Sequence, residues 1–260
     1  MFSEEINKLA NVSQKKSDLL KESKTKYILA SMLAGIYVGF GILLIFTIGG
    51  ILSSTNSPAT KIVMGVAFGI ALSLVLVAGS ELFTGNNLIM TVGALEKKVS
   101  WKEAVNIWIF SFVGNLLGSV LLAWMFSYSG LWSGNVGNFI VKATAGKMSA
   151  PFGQLFIRGI LCNMLVCLAV WCFLKLKEEG AKLIMIFWCL FAFITTGFEH
   201  SVANMTLLSV ALMIPHGGEV TLGGFMNNMI PVTLGNFIGG ALFIGWTYWY
   251  ISKKKVKGGA

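Results

Sequence analysis

Two carboxylates stand where acids are costly. Glu81 is the one charged residue between Ile62 and Leu95. Glu199 is the one carboxylate between Leu183 and Ile214, a run without Lys or Arg, and His200 follows it in "TTGFEHSVANM" (195–205). An acid beside an imidazole suggests acid–base work. No HExxH or other metal-ligand spacing accompanies the pair, so an enzyme would lack its other parts. An ionisable group at membrane depth is a functional candidate by default. Such a carboxylate could instead accept free N–H groups of a restarting helix and brace a loop, or mark a cation path. His200 could be a satisfied core histidine, a neutral donor to an anion, or a group that changes charge near physiological pH. Thr84 offers a hydroxyl, to a ligand or to its own helix. Asn163, inside another apolar run, must find a partner in His200 or in backbone. Lys147, in the loop "VKATAGKMSAP", could draw anions or simply be solvated.

The elements that must position these groups are membrane spans. The 260 residues are 55% hydrophobic and 12% charged, against about 25% charged in soluble domains. Apolar runs cover about 27–52, 62–95, 104–126, 155–174, 183–214 and 229–251, which implies an all-α polytopic membrane protein. The net charge of +9 does not point to nucleic acid, because the basic residues sit at the chain ends and between apolar runs. With the N-terminus inside, all of the 20 basic residues except Lys61, Lys142, Lys147 and Arg158 fall on the cytoplasmic side. The positive-inside rule therefore places both termini in the cytoplasm of a cell (inner) membrane protein. The four cysteines contain no CxxC and read as buried thiols; no metal or cofactor is expected. Residues 1–26 form a polar cytoplasmic segment with no signal-peptide core, in which Phe2, Ile6 and Leu9 share a helix face, so an amphipathic helix is expected there, either a gate or a solvated surface helix. The six-span body takes 27–252, and 253–260 is a basic tail.

Two runs are too long. A straight helix over 62–95 would measure roughly 50 Å, against a hydrocarbon core of about 30 Å. Run 183–214 is similar. Both are expected to break, near "AGSELFTGNN" and "TTGFEHSVAN", and such irregular backbone survives only where protein or a wet cavity satisfies it. The breaks resemble one another: "GSELFTGN" at Gly79 aligns with "GFEHSVAN" at Gly197, and "GNLLG" at Gly114 with "GNFIG" at Gly235. Two inverted three-span repeats follow, a plan typical of channels and transporters with a midplane site. The half-helix N-termini facing the breaks favour an anion. Glu81 and Glu199 match in the repeat and read as loop braces. His200 has Leu82 opposite it and reads as the one-sided feature. A water or glycerol channel is the alternative, but "NPA" is absent and neither break contains proline.

"ELFTGN" (81–86), "RGILCNMLVCLAVW" (158–171), "GFEHSVANM" (197–205) and "PVTLGNFIGG" (231–240) together resemble the formate/nitrite transporter family. The likeness runs from about Tyr27 onward and is greatest toward its clostridial hydrosulfide branch. It implies an aquaporin-like protomer in the lipid bilayer, a pore in each protomer of a homopentamer, and small monovalent anions of weak acids as substrates: hydrosulfide foremost, also formate and nitrite. Permeation would be passive or proton-linked, without enzymatic chemistry. The resemblance assigns the pore centre to His200, Thr84 and Asn163 (as partner of the His), the vestibule to Lys147, outer constrictions to Phe68 and Phe193, and inner ones to Leu72, Leu82 and Val202.

Overall fold

The computed structural model describes residues 2–253, so the basic tail beyond Lys253 lies outside the described residues. Ten helices account for most of them: α1 (Ser3–Glu22), α2 (Lys24–Ser53), α3 (Thr60–Gly79), α4 (Phe83–Leu95), α5 (Trp101–Ser129), α6 (Asn135–Met148), α7 (Phe152–Lys175), α8 (Glu179–Thr196), α9 (Ser201–Met213) and α10 (Leu222–Ser252). Six of these, α2, α3, α5, α7, α8 and α10, are long and apolar enough to cross a membrane. Helices α4 and α9 complete the crossings that α3 and α8 begin. The path is thus six crossings, the second and fifth interrupted. Phe2 packs edge-on against Trp171 and Tyr248, with ring centroids at 5.8 and 5.6 Å. Both ends of the described chain therefore share one face, called here the terminal face. Helix α6 lies at the opposite face.

Local chemistry explains the boundaries. A capping box starts α5: Ser100 accepts from the Glu103 N–H at 3.2 Å, and Glu103 accepts from the Ser100 N–H at 2.6 Å,. The first interrupted helix stops at Gly79 (φ 85) and the second at Gly197 (φ 84). These are repeat counterparts, and both adopt the left-handed geometry that glycine enters without a Cβ penalty. The aligned "GNLLG" and "GNFIG" segments let backbones touch. A Cβ on Gly118 would run into the Met32 carbonyl across the α2–α5 contact, and one on Gly239 into the Ile160 carbonyl across α7–α10. In lipid, where burying apolar surface gives little advantage, such close approach is a main source of helix adhesion.

Two sequence expectations change. The outer "loop" carrying Lys147 is the 14-residue helix α6. The N-terminal helix is not solvated all round, since Ile6, Leu9, Ser13 and Ser17 are buried against the body.

Candidate functional site: the meeting point of two helix starts

Helix α4 starts after Leu82 and runs to the terminal face, while α9 starts after His200 and runs to the opposite face. Their N-termini meet inside the protein, each with unsatisfied N–H groups and a partial positive charge. His200 is itself the N-cap of α9: its Nδ1 accepts from the Ala203 N–H at 3.1 Å. A nitrogen that accepts carries no proton, so in the neutral ring the hydrogen sits on Nε2. Nε2 lies 3.0 Å from the Thr84 hydroxyl oxygen, which accepts that hydrogen. The Thr84 hydroxyl keeps its own proton for a further acceptor, and its side chain is fully buried. His200 and Thr84, 116 residues apart, thus form one buried donor pair.

A second layer of asparagines holds the two starts. Asn115 accepts from the Phe83 N–H at 2.9 Å and donates to the Ser31 and Glu81 carbonyls at 2.7 and 2.9 Å. Its repeat counterpart Asn236 accepts from the Ser201 N–H at 2.8 Å and donates to the Gly159 and Glu199 carbonyls at 2.8 and 2.9 Å. Each amide uses three bonds to satisfy backbone that a broken helix leaves open. These asparagines, visible in the sequence only as part of a repeat, carry the bracing expected of the carboxylates.

Glu81 and Glu199 do something different from capping N–H groups. Glu81 binds Lys16 of α1 at 2.8 and 2.7 Å, the Tyr27 hydroxyl at 2.8 Å and Asn86 at 3.2 Å. Glu199 binds Lys147 of α6 at 2.8 and 2.7 Å and Asn204 at 2.7 Å. Each acid therefore ties its break to an amphipathic helix on one face. Lys16 is the residue that sequence reasoning missed; there it counted only as one of many basic residues on the terminal face. Asn163 takes the backbone alternative and not the His partnership that the resemblance implied. Among the described residues it does not bond His200; it donates to the carbonyls of Thr84 (3.3 Å) and Asn236 (2.6 Å) and stands one layer behind the pore centre.

On the α6 side lies a cavity of about 190 Å³, lined by Lys61, Lys147, Phe139, Phe193, Phe198 and His200 among others. Lys147 reaches it with about a quarter of its side chain exposed while still paired to Glu199. At its floor Phe68 and Phe193 meet edge to face, with centroids at 5.6 Å, and Phe193 stacks on the His200 ring at 6.0 Å. Beyond them is a chamber of about 10 Å³ bounded by Phe68, Leu72, Leu82, Val166, Phe193 and His200. Four expected constriction residues are thus brought together. Val202 is not. His200, Ala203, Asn204 and Leu207 turn one face of α9 toward the cavity, and the helical period sends Val202, fully buried, to the other side,. Val166 was missed because nothing sets it apart from the other apolar residues of α7.

Two interrupted crossings that meet at a buried donor pair, below a lysine-bearing vestibule and an aromatic slit, define a membrane transport protein of the channel type. The family described as "Formate/nitrite transporter" matches residues 3–250. The chain is 44% identical over 256 residues to the nitrite transporter NirC of Escherichia coli, covering 98% of this chain and 94% of that protein. A solved "FNT family ion channel" superposes with TM-score 0.92 at 40% identity, covering 97% of this chain and all of the other. A "Pentameric formate channel with formate bound" gives 0.77 at 30%, over 89% and 98%. The chain belongs to the formate/nitrite transporter family. The water or glycerol alternative is not favoured by these matches.

Proposed function

We propose that each protomer conducts small monovalent anions of weak acids, passively, with His200 as a neutral donor. The observation that carries this reading is the N-cap bond at Nδ1, which supports a ring with its hydrogen on Nε2. The anion enters past Lys61 and Lys147. In the aromatic slit it loses water, which is costly for a charge. The Thr84 hydroxyl, whose oxygen accepts from the His200 Nε2–H and whose own proton can face the anion, and the two helix starts offset part of that cost; a hydrogen bond to a charged group contributes about 1.5–3 kcal/mol. A proton relay through the ring would require protonating Nδ1, which would expel the Ala203 N–H from its cap. The same geometry therefore disfavours proton-linked permeation.

Hydrosulfide is ranked first among the substrates. The chamber beside His200 is only about 10 Å³, so any anion must widen it, and hydrosulfide, with a single heavy atom, requires the least widening. Nitrite and formate, each with three heavy atoms, require more. The terminal face is assigned to the cytoplasm because the basic residues concentrate there. The assembly is a homopentamer, a reading supported by the likeness to the solved pentameric formate channel. Fluxes of hydrosulfide, nitrite and formate into proteoliposomes test the reading. Hydrosulfide should be fastest; water flux without anion flux would refute an anion channel.

A further inference from the structure

The terminal face carries a groove of about 760 Å³ that the pore does not use. It lies between the α4–α5 connection and the end of α10, and its polar lining is Lys97, Lys98, Ser100, Glu103, Lys253 and the indoles of Trp101 and Trp249. Lys97 closes α4 in the left-handed conformation, φ 58. Its N–H bonds the Ala94 carbonyl at 3.1 Å, and that of Lys98 bonds the Gly93 carbonyl at 2.9 Å. Glycine usually fills such a cap, so a lysine here keeps its ammonium at the groove despite local strain.

The acids nearby are already engaged. Glu96 accepts from the Trp249 indole N–H at 2.7 Å. Glu103 accepts from Ser17 at 2.9 Å, serves the α5 capping box and pairs with Lys21. That bond raises the Lys21 ammonium above its ordinary pKa. Lys97, Lys98 and Lys253 make no ion pair among the described residues. Lys253 instead sits over the Trp249 ring at 3.7 Å. Below the groove an apolar stripe descends one face of α5: Trp101, Val105 and Ile109 are 52%, 44% and 55% exposed. Tryptophan at this level is a membrane-interface residue.

We propose that this groove binds the phosphate headgroup of an anionic phospholipid, with the acyl chains lying along the Trp101–Val105–Ile109 stripe. Three unpaired ammonium groups supply the charge for a phosphodiester. The exposed stripe distinguishes a lipid from free phosphate, which would have no use for it. Basic pockets at helix ends facing the membrane surface are suited to such headgroups.

The test is native mass spectrometry of the whole assembly released from bilayers of equal phosphatidylglycerol and phosphatidylcholine. The wild type should retain phosphatidylglycerol, and added inorganic phosphate should not displace it. The Lys97→Gln/Lys98→Gln/Lys253→Gln variant should lose roughly a hundredfold in that preference, about fivefold for each lysine. Lys142→Gln on the opposite face should lose none. Equal retention in the triple variant, or displacement by inorganic phosphate, overturns the proposal. Should the triple variant not assemble, quenching by brominated lipids in the wild type decides. Brominated phosphatidylglycerol should quench more than brominated phosphatidylcholine, with the excess reduced in Trp101→Phe; equal quenching refutes the site.

Discussion

Breaking the Lys147–Glu199 pair should cost more from the lysine side than from the acid side. The Glu199 side chain is 4% exposed and the Lys147 side chain 24%. Removing one partner of a fully buried pair costs about 3–5 kcal/mol, because the other charge is stranded. In Lys147→Met the stranded charge is Glu199, which keeps only Asn204 as a side-chain donor. In Glu199→Gln it is Lys147, which can turn into the 190 Å³ vestibule and hydrate. We expect about 3 kcal/mol for Lys147→Met and about 1 kcal/mol for Glu199→Gln, the second scaled down for exposure. The double variant should recover most of the first loss, since a neutral amide in place of the Glu199 carboxylate strands no charge. Unfolding in mixed detergent and SDS measures all three on one scale. Anion flux should stay low in both Lys147 variants, because the vestibule charge is gone in each. Equal costs from the two sides, or a double variant no better than Lys147→Met, would refute the reasoning.

Other expectations are narrower. Gly197→Ala meets no atom within 4 Å of its added Cβ, so its cost, about 1–2 kcal/mol, is backbone strain alone; Gly197→Asn should cost less in the same unfolding assay. Asn236→Leu removes three bonds at the α9 start and should destabilise by about 3 kcal/mol or more; a loss matching that of an exposed leucine substitution would contradict the bracing role. Thr84→Val keeps shape but removes the hydroxyl, so flux should fall by roughly tenfold to a hundredfold with assembly intact. Lys16→Met should destabilise the break at Glu81 as Lys147→Met does the break at Glu199. Protease sensitivity near residues 79–83 would report it, and unchanged protection would count against the tie.

Much of the architecture was legible because lipid enforces it. Runs 62–95 and 183–214 are too long to cross unbroken, and the Gly79 and Gly197 counterparts mark where they stop. Partners distant in sequence were not legible. Lys16 and Glu81 are 65 residues apart, and no periodicity links an amphipathic helix to a buried acid. Asn115 and Asn236 stood out only as repeats, since an amide does not announce which backbone it satisfies. Val202 shows the limit of placing side chains at a helix start, where one position of rotation separates cavity from core.

The central claim is that His200 acts as a neutral donor and not as a proton carrier. Anion flux into proteoliposomes between about pH 5 and 8, in wild type, His200→Asn and His200→Ala, tests it most directly. Asparagine can cap α9 and donate a hydrogen bond but cannot titrate in this range. The account predicts reduced flux in His200→Asn with the wild-type pH profile, and a larger loss in His200→Ala, which lacks both cap and donor. A pH profile that flattens or shifts in His200→Asn would contradict it.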